Sequence, residues 1–155
     1  MLYYFFSFFL IVIDQTTKYL TTIKLSEYES FIVAEDLLSF TRYHNTGGPW
    51  SIFDGLPILF IIATLCIFAL EFFYFKKHPL NHSTAKLSCA FINSGAIGNL
   101  LDRIFRGYVV DMIDLTFIDY PVFNFADCCV VVGAFLMCVY VIFIEGKDKN
   151  SRGGK

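Results

Sequence analysis

Two aspartates, Asp111 and Asp127, are the residues of this chain best placed to do chemistry. Asp111 follows the short apolar run Tyr108-Val109-Val110, and Asp127 opens an apolar stretch that continues to Ile144, so both carboxylates stand at a boundary between water and lipid. Charged side chains at membrane depth are costly. Where they occur they usually face a bundle interior or a wet cavity and mark a functional site. Two carboxylates held about 3 Å apart cannot both ionise, so they share one proton, and one can activate water while the other protonates. That is the chemistry of a membrane hydrolase. The two aspartates lie sixteen residues apart with Pro121 between them, so they cannot pair on one helix and the connection from Asp111 to Asn124 must fold back. Apolar surroundings would raise one of the two pKa values and keep a neutral acid near pH 7.

Other polar groups gather around this pair. Asn99 and Arg103 are i,i+4 neighbours and project from one helical face, where an amide and a guanidinium could fix a peptide carbonyl or a carboxylate. Asp102 and Arg103 could equally mark a helix end in the headgroup region. Near the amino terminus, Asp14 and Lys18 form an acid-before-base i,i+4 pair, which is favourable on a helix. At a membrane edge the lysine stem can snorkel to water, and the pair could then serve only as an anchor.

These residues fall in blocks that resemble bacterial signal peptidase II, the prolipoprotein signal peptidase family. The resemblance rests on Gly98-Asn99-Leu100-Leu101-Asp102-Arg103, Gly107-Tyr108-Val109-Val110-Asp111 and Phe123-Asn124-Phe125-Ala126-Asp127, in the family's order and spacing. Asp14-Gln15 with Lys18, and Asn45-Thr46-Gly47-Gly48, support it upstream. The blocks span almost the whole chain. The resemblance implies an aspartic endopeptidase with Asp111 and Asp127 as its catalytic pair, using no metal and no cofactor. Asp14, Lys18, Asn45, Gly47, Asn99, Asp102, Arg103, Asn124 and Ala126 are then supporting or substrate-holding residues. The implied substrate is a diacylglyceryl-modified prolipoprotein, cut on the amino side of the lipidated cysteine, and the chain itself reads as a monomer in contact with membrane lipids. The chain departs from the family at Gly48-Pro49-Trp50, where small residues and then phenylalanine are common. Trp50 reads first as an interfacial anchor.

The elements that must position these groups follow from composition. At 56% hydrophobic and 19% aromatic residues, the chain is more apolar than a soluble domain, for which roughly 45–50% is usual even with glycine counted. It reads as an α-helical polytopic membrane protein of one domain, residues 1–155, with spans at about 1–20, 56–75, 87–104 and 126–144. Each meets the roughly 20-residue need of a membrane helix or comes near it. Between the first two spans, residues 22–54 alternate apolar and polar positions, as in Ser30 to Ala34 and Leu38 to Tyr43, and predict short strands. The resemblance implies that these form a small extracytoplasmic β-sheet that cradles substrate, with Asn45 in the loop after the last strand. Tyr108 to Leu115 reads as an irregular connection. Residues 146–155 read as a mobile tail.

Lys76, Lys77 and Lys86, with Lys147, Lys149, Arg152 and Lys155, outnumber the more dispersed basic residues of the opposite side. By the positive-inside rule both termini are cytoplasmic and the aspartates face outward, across the bacterial cytoplasmic, or inner, membrane. The net charge of −2 and the lack of a basic cluster give no sign of a nucleic-acid partner. Cys66, Cys89, Cys128, Cys129 and Cys138 fall in apolar runs without metal-ligand spacing, as small buried hydrophobes do. A competing reading is a small membrane carrier or proton-relay subunit with Asp111 and Asp127 as ion ligands. Carriers, however, usually hold their sites near the bilayer midplane.

Overall fold

The computed structural model describes residues 1–145, so the expectation of a mobile tail at 146–155 lies outside the described residues. The chain order is helix α1 (Leu2–Lys24), strands β1 (Ser30–Ala34) and β2 (Leu38–Asn45), a 3₁₀ turn at Pro49–Ser51, helices α2 (Pro57–Lys77) and α3 (Ser83–Phe105), strand β3 (Val109–Asp114) and helix α4 (Phe125–Val139), which runs on as a π turn over Tyr140–Glu145. Two helical stretches, Pro57–Lys77 and Phe125–Ile144, are long and apolar enough to cross a membrane. The other two, α1 and α3, carry Asp14, Lys18, Asn99, Asp102 and Arg103.

Small residues let α3 lie against α4. A methyl group on Gly133 would meet the Ile92 side chain at 2.7 Å, the Ile92 nitrogen at 2.8 Å and the Ser88 carbonyl at 2.9 Å, so glycine here is a condition of close approach. This is how helices associate in lipid, where packing rather than water exclusion drives contact. The Ser88 hydroxyl adds a hydrogen bond to the Gly133 carbonyl at 2.7 Å. Helix α2 has no buried residue. The Asn93 amide on α3 donates to its Glu71 carboxylate at 2.9 Å.

The three strands form one antiparallel sheet in the order β1-β2-β3. This corrects the sequence reading twice. The sheet is not confined to the segment between the first two helices, because its third strand comes from the α3–α4 connection read as irregular. Val109, Val110, Asp111 and Met112 are all buried, and a strand covered on both faces shows no alternation. Asn45 is likewise the last residue of β2 rather than part of the following loop. Of the cysteines only Cys129 is buried, while Cys66 and Cys138 are exposed on outward faces of α2 and α4, which correct the expectation of five buried thiols. Outward faces of membrane-type helices are themselves apolar, so an apolar run does not imply burial.

Candidate functional site

Asp111 is held in place by the sheet. Asn45 pairs with Val109 across the β2–β3 ladder and Tyr43 with Asp111, so Asn45 and Asp111 are diagonal neighbours on one face. The Asn45 amide donates to Asp111 Oδ2 at 2.9 Å. Beyond β3 the chain folds back, as the fold-back argument requires. Phe123 bridges to Ile113, its carbonyl accepting from Met112 and Ile113 and its nitrogen donating to Ile113.

That return places Asn124 at the start of α4, where it forms a reciprocal cap with Asp127. The Asp127 nitrogen donates to Asn124 Oδ1 at 3.0 Å, and the Asn124 nitrogen donates to Asp127 Oδ2 at 3.1 Å. Such a cap satisfies two of the orphan donors at a helix start. It leaves the Asn124 amide nitrogen free to donate to Asp111 Oδ1 at 2.6 Å and to Asn99 Oδ1 at 3.1 Å. One side chain therefore touches both aspartates. Asn99 completes the set by donating to Asp127 Oδ1 at 2.8 Å.

All four carboxylate oxygens thus accept a hydrogen bond, from three side-chain amides and one backbone nitrogen. Asp111 is 2% exposed, and burial first, then the charge of Asp127, pushes its pKa up to about 7. Both line a cavity of about 250 Å³ together with Asn45, Asn99, Arg103 and Asn124. A buried carboxyl able to hold a proton at neutral pH beside a second carboxylate is suited to passing protons to and from a bound water.

Arg103 reaches the cavity from α3. Its Nη2 donates to the Gly47 carbonyl at 3.0 Å, and its guanidinium lies 4.7 Å from the centre of the Phe60 ring. Its Nε is buried without a partner. Gly47 is where a side chain could not be, since a methyl group would meet the Ile52 carbonyl at 2.7 Å, and its nitrogen donates to Asn45 Oδ1 at 2.9 Å. Replacing Arg103 with lysine keeps the charge and loses the planar fork. If the chain acts on the lipidated prolipoprotein that its motifs imply, turnover of such a peptide should fall by roughly tenfold or more while thermal stability in detergent changes little, because a lysine cannot keep both the Gly47 and the Phe60 contact in one orientation. Near-normal turnover would reduce Arg103 to an anchor.

The remaining predicted residues lie behind the cavity. Lys18 is fully buried, so it does not snorkel. Its Nζ contacts Asp14 at 3.0 Å, Asp102 at 3.0 Å and Asn99 Oδ1 at 2.9 Å. Asp14 also accepts from the Ala126 nitrogen at 3.0 Å, and Asp102 from the Val110 nitrogen at 3.2 Å. The cluster therefore ties α1 to α4 and α3 to β3, next to Asp111 and Asp127 rather than among them. Asp102 is buried completely, against its reading as a headgroup marker. Two members were not among the predicted residues. Gln15 donates to Asp14 at 3.1 Å and to the Gly98 carbonyl at 3.1 Å, and Arg106 pairs with Asp102 one turn away. The Asp102–Arg106 i,i+4 spacing was the available signal.

The family model described as signal peptidase (SPase) II matches residues 6–143. A lipoprotein signal peptidase of Enterococcus faecalis is 36% identical over 154 residues, covering 98% of this chain and 94% of that protein. One of Bacillus velezensis is 33% identical, covering 97% and 99%. A bacterial membrane enzyme solved by the in meso method at 2.3 Å resolution superimposes with a TM-score of 0.84 at 28% identity, over 99% of this chain and 91% of that one. On the matched motifs, their full-length register and this fold, the chain belongs to the signal peptidase II family.

Proposed function

We propose that this protein removes the signal peptide from lipid-modified prolipoproteins as an aspartic endopeptidase, with Asp111 and Asp127 as its catalytic pair. The observation that carries the assignment is Asn124, which hydrogen-bonds Asp111 through its amide and Asp127 through its cap. Family membership supports the lipoprotein substrate. The diacylglyceryl-modified cysteine stays in lipid, and the bond on its amino side enters the cavity.

In this mechanism Asp127 takes a proton from water as the water oxygen bonds to the scissile carbonyl carbon. Asp111 gives its proton to the carbonyl oxygen, forming a neutral gem-diol. The pair then reverses roles. Asp127 protonates the leaving nitrogen, the carbon–nitrogen bond breaks, and one diol proton returns to Asp111 as the acid product forms. Asn99, Asn45 and Asn124 hold the carboxylates, while Arg103 positions the loop at Gly47 and the substrate backbone.

Cleavage of a synthetic diacylglyceryl-cysteine peptide by purified protein in detergent tests the proposal, and the pH profile tests its details. Asp111 must carry its proton to act as the acid. With its pKa pushed up to about 7 by burial and by Asp127, turnover should fall as pH rises through that value, by roughly tenfold per pH unit beyond it. Turnover still rising at pH 9 would sink the acid role of Asp111.

The same reading makes the chain a single membrane domain with four spans, α1 and α3 joining the two strongly apolar helices. Their polar residues turn into the bundle. By the positive-inside rule, Lys76, Lys77 and Lys86 support a cytoplasmic α2–α3 loop, with the sheet on the outer side. In a cysteine-free background, Glu29→Cys should react with a membrane-impermeant thiol reagent on intact spheroplasts and Lys77→Cys should not. The opposite pattern would invert the topology.

A further inference from the structure

A second cavity, of about 200 Å³, adjoins the one that holds the aspartates. They share Asn45, Gly48, Tyr120, Pro121 and Val122, so they meet along a common wall as an inner and an outer branch. Their walls differ. The inner branch holds Asp111, Asp127 and Arg103 with their amide partners, and Val109, Val130 and Val131 supply apolar wall beside them. The outer branch is completed by Tyr43 of β2, Trp50 of the 3₁₀ turn and Asp119 of the β3–α4 connection. Among the described residues that line the outer branch, Asp119 is the only one with a formal charge.

Trp50 forms the outer wall in an unusual way. It adopts φ 52°, a left-handed conformation rare for bulky side chains, and remains 65% exposed. Its ring meets Tyr120 edge-on at 5.7 Å between centroids, and Tyr120 meets Phe123 at 5.8 Å. A costly backbone conformation that keeps a large ring out of a core needs another reason to persist.

A substrate cut at the dyad has two ends of opposite character. The signal-peptide side is an apolar segment of about 7–15 residues, whose favourable surroundings are the lipid and the valines of the inner branch. The mature side is bound for water. We infer that the outer branch, walled by Tyr43, Trp50 and Tyr120 with Asp119 at its rim, receives the residue following the lipidated cysteine and selects against an acidic side chain there. The volume is on the scale of one residue, which limits selection to that position. This inference rests on the peptidase reading above.

The test uses three diacylglyceryl-cysteine peptides that differ only in carrying Lys, Ser or Asp immediately after the cysteine. For an exposed carboxylate the expected discrimination is modest, about three- to fivefold in kcat/KM for Lys over Asp at low salt. It should shrink at about 0.5 M salt, where charges are screened within a few ångströms. Asp119→Asn should bring the ratio close to unity, an effect that a purely structural role would not produce. The same ratio is then read as affinity for peptides N-methylated at the scissile bond, without turnover. Equal treatment of Lys and Asp by the parent protein in both assays, or an unchanged ratio in Asp119→Asn, overturns the inference. If the unmethylated peptides were not cut but the affinity ratio held, the peptidase reading would fail and the branch would stand.

Discussion

Replacing either Asp111 or Asp127 with asparagine should lower cleavage of a lipidated peptide by at least about a thousandfold, and the double replacement should be no worse. Groups that act as one unit are strongly non-additive, since losing either member already removes the shared step. Each asparagine keeps the shape of its aspartate and removes a carboxyl group that must give or take a proton. The substitution at 111 has a second cost. Both its carboxylate oxygens accept from amide donors, Asn45 at 2.9 Å and Asn124 at 2.6 Å, and the new amide turns a donor toward one of them. That costs on the order of 1 kcal/mol of stability, far below the roughly 4 kcal/mol that a thousandfold loss of rate represents. Thermal denaturation in detergent, run beside the kinetics, separates the two effects. A single variant with substantial turnover, or single losses that multiply in the double variant, would dissolve the pair into independent residues.

The helices were legible because each follows from run length and from the expense of charge in lipid. Asp14 and Lys18 inside α1, and Asn99, Asp102 and Arg103 toward the end of α3, stood out for the same reason. Depth was not legible. An i,i+4 spacing says that two side chains share a face of a helix, but the partners across the bundle decide whether that face meets water or another helix. Lys18 is buried because Asp102 and Asn99 meet it from α3, and nothing local to α1 records this. Asp102 and Arg103 show the same limit. Consecutive helical residues point about 100° apart, so one reaches the buried lysine and the other the cavity.

Strand β3 escaped detection for a related reason. Alternation appears only when one face is wet, and Val109 to Met112 has neither face in water. The Asn124-x-x-Asp127 spacing is readable as a helix cap, and a cap alone would make Asp127 a structural residue. The cap uses one oxygen of Asp127 and one end of the Asn124 amide. Their other ends meet Asn99 and Asp111, contacts between segments far apart in sequence that only the fold-back at Phe123 creates.

The second large effect is expected at Lys18, on stability before activity. Its three ammonium protons have three acceptors, Asp14, Asp102 and Asn99, and its side chain is 0% exposed. Lys18→Met keeps much of the apolar stem and removes the charge. Arg106 remains with Asp102, so the stranded group is Asp14, itself 1% exposed. An uncompensated buried charge costs about 3–5 kcal/mol, a large share of the 5–15 kcal/mol that holds a typical protein folded. Lys18→Met should therefore accumulate poorly and melt early in detergent. Adding Asp14→Asn removes the stranded charge and leaves the Asp102–Arg106 pair balanced. The double variant should consequently be more stable than Lys18→Met alone, although it carries one substitution more. Its turnover should stay below the parent's, because Asn99 has lost the cation on its oxygen, one of the two contacts that keep its amide nitrogen toward Asp127. A double variant less stable than Lys18→Met would mean that Asp14 is held by the Ala126 nitrogen and Gln15 rather than by the lysine's charge.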